Sequence, residues 1–254
     1  SHASEDPFGT DLKDIHLDVR SGEIVGIPGV SGNGQQELLY AISGEEPLAE
    51  KFPVQICGIE AGRMPPDQRR SAGMGFVPEE RLGRGAVPRM SLAENALLTA
   101  HTGAGLLRSG LINFSAMEKF SAECIAAYNV KCGGPGAEAK SLSGGNLQKY
   151  IMGREIMQAP KVLVVAQPTW GVDVGAAAFI RQSLIELRNR GTAILVISEE
   201  LDELFEISDR IAVIANGRLS PTKPAAETNV EEIGVWMSGM WPGAAAVEEV
   251  SHAA

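Results

Sequence analysis

The sequence predicts an α/β fold with a mainly parallel sheet that helices cover on both faces. In the last third of the chain, an apolar strand at residues 162–165, a helix at 176–190 and a second strand at 192–197 follow one another. Such alternation is typical of parallel sheets. Near the other end, a buried strand at residues 23–27 leads into a glycine-rich loop and a helix that starts at Gln35. Strand, glycine loop and helix in this order are the context of a phosphate-binding loop.

The rest of the chain divides into shorter elements. Residues 15–19 alternate apolar and polar side chains, which predicts a half-buried strand. Helical periodicity over residues 91–129, broken by glycines, predicts an inserted helical lobe. The remaining predictions are strands at residues 54–57, 74–77 and 210–214, a loop at 78–89, a helix at 143–158, a short acidic helix after residue 198 and a hairpin turn at Asn216-Gly217.

The composition excludes several classes of function. The 254 residues are 44% hydrophobic, which suits one compact unit with two lobes. The formal charge of −10 indicates no basic surface, so nucleic acid is not an expected partner. No apolar run is long enough to span a bilayer, and the start lacks the apolar core of a signal peptide. Any work at a membrane would therefore need a partner that spans it.

The cysteines and histidines indicate neither disulfides nor a metal site. The three cysteines, Cys57, Cys124 and Cys132, show no paired spacing, which fits a reduced, cytoplasmic setting. The four histidines show no metal-ligand spacing, so no metal site is predicted from them.

The most informative stretch is Leu-Ser-Gly-Gly-Asn-Leu-Gln-Lys at residues 142–149. Gly144 and Gly145 at a helix start allow a ligand to approach the backbone closely, and the free amides there favour an anion such as a terminal phosphate. Ser143 adds a hydroxyl donor. For Ser-Gly-Gly alone, an ordinary serine cap on a helix is the favoured explanation.

The whole octet, however, resembles the signature sequence of the ATP-binding-cassette (ABC) family. Other positions typical of that family follow in the expected order, so that the resemblance covers residues 12–219. They are the Walker A frame at residues 29–34, the Gln-loop position at Glu79, the Walker B strand at residues 162–169, the loop after it at residues 171–173 and the switch position at Glu199.

The resemblance implies a specific architecture. It implies a P-loop NTPase (RecA-like) core with an antiparallel β region near the amino terminus and a helical lobe inserted at about residues 85–141. The nucleotide-binding domain would occupy residues 8–224, and residues 225–254 would form a carboxy-terminal helix and tail. Phe8 is a candidate for the aromatic that stacks on adenine.

The chain departs from the family at the residues that bind phosphate and metal. Gln35 and Gln36 replace the Walker A lysine and the hydroxyl residue that holds Mg²⁺. A neutral hydrogen bond is worth about 1 kcal/mol against about 1.5–3 kcal/mol for a charge-assisted one, so nucleotide affinity should fall. Ala166 replaces the Asp that steadies Mg²⁺, and Gln167 replaces the general base. An amide cannot usefully accept that proton near neutral pH.

Two further departures place carboxylates where a polyanion would bind. Glu199 occupies the switch position, where a histidine is usual, and Glu79 occupies the position of the Gln-loop glutamine. Together the substitutions predict that this pocket does not hydrolyse ATP. The alternative is that Glu79 or Glu199 supplies a substitute base.

The signature is intact, and this predicts a role at a partner's site. In the family two cassettes face each other, and each ATP lies between the Walker motifs of one and the signature of the other. The resemblance therefore implies that ATP and Mg²⁺ bind mainly in a composite site to which this chain contributes Ser143, Gly144, Gly145, Gln148 and Asp173. Its own loop would bind nucleotide weakly, through Gly29, Ser31, Gly32, Asn33, Gly34, Gln35, Gln36 and Glu79.

The whole pattern resembles the carboxy-terminal half of a tandem cassette protein that serves importers of ribose, galactose, xylose or nucleosides. Residues 166–176 most resemble the nucleoside branch, although Trp170 stands where an arginine is expected. The implied partners are the amino-terminal cassette of the same polypeptide, transmembrane permease subunits and, indirectly, a periplasmic or extracellular binding protein. The implied location is peripheral, at the cytoplasmic face of the cell membrane.

Two other functions stay open from the sequence. The chain could be a structural or regulatory cassette that couples subunits without nucleotide, or a soluble cassette of the DNA-repair or translation type. The acidic charge argues against the second. Arg81, Arg84 and Arg89 could form an anion site, a solvated loop or a contact with the membrane subunit.

Overall fold

A computed structural model describes residues 9–46, 54–101 and 104–243 of the chain. Its strands are β1 Ile24–Pro28, β2 Gln55–Ile56, β3 Ile59–Glu60, β4 Met74–Val77, β5 Leu107–Arg108, β6 Leu111–Ile112, β7 Val162–Ala166, β8 Ala193–Ser198, β9 Arg210–Ile211, β10 Ile214–Ala215, β11 Arg218–Leu219 and β12 Lys223–Pro224. Its helices are α1 Gln35–Ser43, α2 Pro66–Ser71, α3 Leu92–Ala100, α4 Phe114–Ala127, α5 Gly144–Ile156, α6 Val174–Asn189, α7 Leu201–Ile207 and α8 Val230–Met237. Two single turns of 3-10 helix, Ala139–Ser141 and Ala225–Glu227, complete the set.

The central sheet has six strands in the order β12-β9-β1-β8-β7-β4. Strands β9, β1, β8, β7 and β4 are parallel, and β12 alone runs antiparallel, against β9. All five residues of β1 and all six of β8 are buried, as expected where helices cover both faces. The predicted α/β class with a mainly parallel sheet is confirmed.

The two faces of the sheet pack into two separate apolar clusters. Because side chains alternate along a strand, Ile24 and Ile194 join one cluster and their neighbours Val25 and Leu195 join the other. Helices α5 and α6 cover the first cluster, and helix α1 covers the second. The helix α1 that follows the glycine loop is therefore fixed to the sheet by burial of its apolar stripe.

The lobe between β4 and α5 contains a feature that the helical periodicity did not predict. Between α3 and α4 lies a two-stranded hairpin, β5–β6. Its turn residues, Ser109 and Gly110, have φ of 52° and 79°, the left-handed values that a two-residue hairpin turn requires. The Ser-Gly pair between short apolar runs was the sequence signal for it. The limits of the lobe, at about residues 85–141, and the domain limits of 8–224 stay predictions.

The predicted strand at residues 15–19 is wrong. Ile15, Leu17 and Val19 are half-buried against the α1 cluster and their neighbours are exposed, as the alternation predicted. No strand of the described chain pairs with this segment, however, so it forms no ladder. The segment therefore packs by its side chains alone. Phe8 lies outside the described residues.

The carboxyl ends of four adjacent strands bring the predicted motifs together. Pro28 of β1 pairs with Ser198 of β8, Ile197 pairs with Ala166 of β7, and Val165 pairs with Val77 of β4. The loops that follow these strands therefore leave the sheet at one edge. In parallel α/β sheets this edge is where ligands bind.

Candidate functional site

The glycine loop after β1 closes over the side chain of Gln35. Gly32 and Gly34 have φ of 88° and 107°, values that only glycine adopts without strain. Gln35 Nε2 donates to the Val30 carbonyl at 2.6 Å, and Gln35 Oε1 accepts from the Asn33 amide at 3.1 Å. The amide group of Gln35 is thus hydrogen-bonded to the backbone of its own loop. The Asn33 amide also donates to the Val30 carbonyl at 3.3 Å, so this backbone donor is engaged within the loop.

Asn33 holds this loop in place instead of facing the pocket. Its Nδ2 donates to the Val30 carbonyl at 3.1 Å, and its Oδ1 accepts from the amide of Asn216 at 3.1 Å. Asn216 belongs to the predicted hairpin turn between β10 and β11, which the structure confirms. The side chain of Asn33 therefore connects the loop to that turn.

Next to the loop, a chain of polar contacts borders the pocket. Gln36 Nε2 donates to the Tyr40 hydroxyl, and Arg84 Nη1 donates to the same oxygen at 2.9 Å. The Arg84 guanidinium lies 4.7 Å from the centre of the Tyr40 ring and forms an ion pair with Glu45. Gln36 is thus hydrogen-bonded to Tyr40, and the positive charge of Arg84 is paired with Glu45.

At the end of β7, Gln167 is held in a constrained backbone position. Its φ is 46°, and its side chain is 9% exposed. Gln167 Oε1 accepts from the amide of Glu199 at 3.1 Å and from the Ser198 hydroxyl at 3.4 Å. This geometry ties the base position to the switch position across two neighbouring strands.

Two carboxylates face the same pocket from different strands. Glu79 follows β4 and Glu199 follows β8. Burial raises the pKa of Glu79, and the negative charges of Glu199 and Glu80 raise it further, while Arg84 opposes them. The negative charges that oppose ionisation of Glu79 would also repel a nucleotide's phosphates.

These elements enclose one open pocket of about 380 Å³. The pocket unites the glycine loop, the Gln-loop position, the base position and the switch position. Of the residues predicted to bind nucleotide, Asn33 and Gly34 lie outside the lining. The lining residues are Gly9, Gly29, Ser31, Gly32, Gln35, Gln36, Glu37, Leu39, Tyr40, Phe76, Pro78, Glu79, Glu80, Arg84, Ala166, Gln167, Ile197 and Glu199.

The signature motif lies on the surface at the start of α5. Ser143 is the N-cap, and its hydroxyl accepts from Asn146 Nδ2 at 2.9 Å. Ser143 and Gly144 are exposed. A Cβ on Gly145 would lie 3.1 Å from Asp173 Oδ2, so α5 and the loop after β7 approach closely at this glycine. The exposed helix start presents free amides and a hydroxyl to an external ligand.

Asp173 and Gln148 differ in their placement. Asp173 is exposed and caps α6, accepting from the Ala176 amide at 2.9 Å. Gln148 is only 2% exposed, and its Nε2 donates to the Pro168 carbonyl at 3.0 Å. This interior position removes Gln148 from the surface that was predicted to contact a partner. Its bond instead connects α5 to the loop after β7.

The sequence did not identify Arg81 as part of this region. Arg81 Nη2 donates to the Trp170 carbonyl at 2.8 Å, and its guanidinium packs against Gly144. Trp170 itself is 55% exposed. Three arginines in one loop gave no signal to distinguish Arg81, which faces the signature, from Arg84, which faces the pocket.

Residues 12–170 match the family described as ABC transporter. The chain therefore belongs to the ABC transporter family, as an ATP-binding domain with the P-loop NTPase cassette fold. It is 39% identical over 228 residues to the guanosine import ATP-binding protein NupO of Bacillus subtilis strain 168, across 90% of this chain and 44% of that protein. It is also 39% identical to the nucleoside import ATP-binding protein NupA of Lactococcus lactis subsp. cremoris, across 90% of this chain and 45% of that protein.

A third relative is the ribose import ATP-binding protein RbsA 1 of Streptomyces avermitilis. It is 36% identical, across 87% of this chain and 42% of its own length. The chain thus spans less than half the length of the curated relatives it matches.

Solved structures share the fold at lower identity. A nucleotide-free ATP-binding cassette from an ABC transporter superposes with a TM-score of 0.73 at 21% identity, covering 95% of this chain and 96% of that one. The dimeric cassette MJ0796 bound to ADP and Pi superposes with a TM-score of 0.71 at 22% identity, covering 84% and 90%. Within the described ranges, no helix of this chain is long and apolar enough to cross a membrane.

Proposed function

We propose that this chain is a nucleotide-binding domain of an ATP-driven importer for nucleosides or sugars. In this proposal it completes a composite ATP site on a partner cassette with its signature motif, and it hydrolyses no ATP in its own pocket. The observation that carries the proposal is a contrast between two sites. The helix start Ser143-Gly144-Gly145 is complete, with Ser143 and Gly144 exposed, whereas the pocket has no lysine and has the amide of Gln167 at the base position.

The importer role is supported by what the relatives are called. Two are named for guanosine or nucleoside import and one for ribose import. The two nucleoside proteins have the higher identity of these three, which agrees with the resemblance of residues 166–176 to the nucleoside branch. This chain covers less than half of each relative, which supports a second cassette in the same polypeptide as the partner. Permease subunits and a binding protein would complete the importer at the cytoplasmic face of the membrane.

The silent pocket is supported by its chemistry. Gln35 cannot bring the positive charge that normally meets the β- and γ-phosphates, and its amide is already bonded to its own loop. Gln167 has no basic oxygen to accept a proton from water. The approach of Glu79 and Glu199 adds repulsion between carboxylates and phosphates.

The residues of this pocket do not fit Mg²⁺. The positions that supply a hydroxyl and a carboxylate to the ion in the family hold Gln36 and Ala166, and Gln36 is bonded to Tyr40. No group of three or more acidic, histidine or cysteine side chains in the described part of the chain could hold a metal ion. In the proposal, ATP and Mg²⁺ are held by the partner's Walker motifs, and this chain supplies only the signature side.

The signature role is supported by the surface around it. Ser143 and Gly144 are exposed, and the α5 amides at this end have the partial positive charge that favours a phosphate. Three exposed apolar side chains lie beyond the same edge of the sheet: Val30 and Trp170 in the loops that leave it, and Val174 at the first position of α6. Exposed apolar side chains beside polar motifs are a common feature of protein interfaces.

The competing function is a structural or regulatory cassette that uses no nucleotide. The test is the ATPase rate of this chain alone, of its partner cassette alone and of their mixture. The measurements that include this chain are repeated with its Ser143→Arg variant. The proposal expects a silent chain that raises the partner's rate, and loss of that increase in Ser143→Arg because a bulky cation blocks the helix start. Ser115→Arg is the matched control, since Ser115 is an exposed serine in the first turn of α4.

Each outcome decides between the two functions. An increase that survives Ser143→Arg would favour a structural cassette. Turnover by this chain alone would contradict the silent pocket and would direct attention to Glu79 or Glu199 as the base.

A further inference from the structure

Arg81 occupies a fixed place in the loop between the pocket and the helical lobe. The Ala86 amide donates to the Arg81 carbonyl at 2.7 Å, and the Gly85 amide donates to the Glu80 carbonyl at 2.8 Å. These bonds form a tight turn just two residues after Glu79. The backbone that carries the Arg81 side chain is therefore held firmly, although it belongs to a loop.

The Arg81 guanidinium fills the space between the two motifs that are offered to a partner. Its Nη2 donates to the Trp170 carbonyl at 2.8 Å. A Cβ on Gly144 would lie 2.9 Å from its Nη1, and a Cβ on Gly171 would lie 3.2 Å from its Nη2. The side chain thus lies against the start of α5 on one side and the loop after β7 on the other. Both contacts depend on glycines.

The charge of Arg81 is not neutralised within the described chain. None of the ion pairs formed by described residues involves it. Its Nη1 is buried and has no hydrogen-bond partner. Burial lowers the pKa of Arg81 from its usual value, which is the sign of a cation with little solvation. An uncompensated cation beside a helix start adds to the attraction that the α5 amides exert on an anion.

We propose that Arg81 is a positioning residue of the composite ATP site. It holds Ser143-Gly144 at a fixed distance from Trp170-Gly171, and it places a positive charge behind the signature where the partner's terminal phosphate would approach. This inference rests on the proposed function. It adds that one loop serves both sites. The loop after β4 places Glu79 in the chain's own pocket, and through Arg81 it contacts the signature surface that would face the partner.

The first test uses the intact polypeptide that carries this chain. Arg81→Gln is expected to lower kcat/KM for ATP roughly tenfold or more, since a charge-assisted contact and a charge near the phosphate are lost. Arg81→Lys keeps the charge without the planar fork and is expected to recover part of the loss, mainly in KM. Arg20→Gln is the matched control. Arg20 precedes β1 at the opposite edge of the sheet, and its side chain is 73% exposed.

A double-mutant cycle separates positioning from a general loss of structure. Gly144→Ala should displace the guanidinium, whereas in the Arg81→Gln background the new methyl group meets a shorter neutral side chain. The combined effect of both substitutions on kcat/KM should therefore be smaller than the product of the single effects. Independent, multiplicative effects would overturn the inference, and so would an Arg81→Gln enzyme with unchanged kcat and KM. If Ser143→Arg in the same polypeptide has no effect, the proposed function itself fails, which is a different result.

Discussion

The side-chain oxygen of Gln167 accepts a hydrogen bond from the backbone amide of Glu199 at 3.1 Å. The base position at the end of β7 and the switch position at the end of β8 are thus joined inside one chain. The Ser198 hydroxyl lies 3.4 Å from the same oxygen. A carboxylate at position 167 could accept both bonds, so this geometry does not itself prevent a base. Gln167 lacks only the carboxylate that would accept a proton from water.

Replacing Gln167 with Glu should therefore leave the chain without ATPase activity. The substitution restores a base, but Gln35 and Ala166 still lack the charge on the phosphates and the ligand for Mg²⁺. The measurement is phosphate release by the purified chain at saturating ATP, with Gln182→Glu as a control for added charge on exposed α6 surface. If Gln167→Glu alone releases more phosphate than the control, the absence of a base at position 167 would be enough to explain a lack of hydrolysis, without Gln35 and Ala166.

Replacing Gln35 with Lys should raise the affinity of the chain for ATP roughly tenfold, because a charge-assisted contact replaces a neutral one. The change also removes Gln35 Oε1 from the Asn33 amide, which still donates to the Val30 carbonyl at 3.3 Å. Isothermal titration of each variant with ATP gives the comparison. Gln182→Lys adds the same charge at an exposed site on α6 and should leave the affinity unchanged. Equal affinities for Gln35→Lys and the parent chain would show that the repulsion from Glu79 and Glu199 decides binding.

The order of motifs allowed the family, the α/β class and the grouping of the site to be predicted from sequence. Strands that are buried on both faces form continuous apolar runs, and residues that follow the ends of parallel strands must meet at one edge. This is why Glu79, Gln167 and Glu199, which are far apart in the chain, line one pocket with residues of the glycine loop.

Contacts that depend on the direction of a side chain could not be predicted. The octet contains both Gln148 and Ser143, yet the turn of α5 buries the first and exposes the second. Residues 15–19 show correct alternation but have no neighbouring strand, and pairing is a property of the assembled sheet. Arg81 and Arg84 differ only in which way the loop turns, and this depends on backbone bonds such as Ala86 N to Arg81 O.

Nucleotide binding to the chain's own pocket should weaken as the pH rises through the pKa of Glu79. That pKa lies above the ordinary value because of burial and the neighbouring charge of Glu199. Below it Glu79 is neutral and repels phosphate little, and above it the carboxylate is charged. Above that pKa, Glu79→Gln should bind more tightly than the parent chain, and it should lose this part of the pH dependence.

The measurement for Glu79 is the dissociation constant of ADP across a pH series for the parent chain, Glu79→Gln and Glu186→Gln. Glu186 lies on α6 and bonds to Gln182 at an exposed site, so its removal tests only the effect of net charge. Titration of the nucleotide's own phosphates is common to all three proteins and cancels in the comparison. Parallel pH curves for the parent chain and Glu79→Gln would contradict the prediction.

Replacing Arg69 with Met should destabilise the chain by about 3 kcal/mol, since charged hydrogen bonds are lost and buried carbonyls are left without donors. Arg69 is fully buried in α2 and donates to the carbonyls of Ala41, Ile42, Met64 and Gly62 at 2.5–3.1 Å. Ala41 and Ile42 belong to the last turn of α1, the helix that begins at the glycine loop. The guanidinium therefore satisfies carbonyls that a helix end leaves free.

The free energy of unfolding in urea tests this role for Arg69, with Arg20→Met as the control because the Arg20 side chain is 73% exposed. The Arg20 variant should stay within about 0.5 kcal/mol of the parent chain. Arg69→Lys should recover only part of the loss, since an ammonium group cannot reach four carbonyls from one rigid fork. Because α1 carries the glycine loop, a loosened Arg69 variant should also bind ADP more weakly. Unchanged unfolding by Arg69→Met would mean that packing of Leu38 and Leu39 against the sheet is sufficient to hold α1.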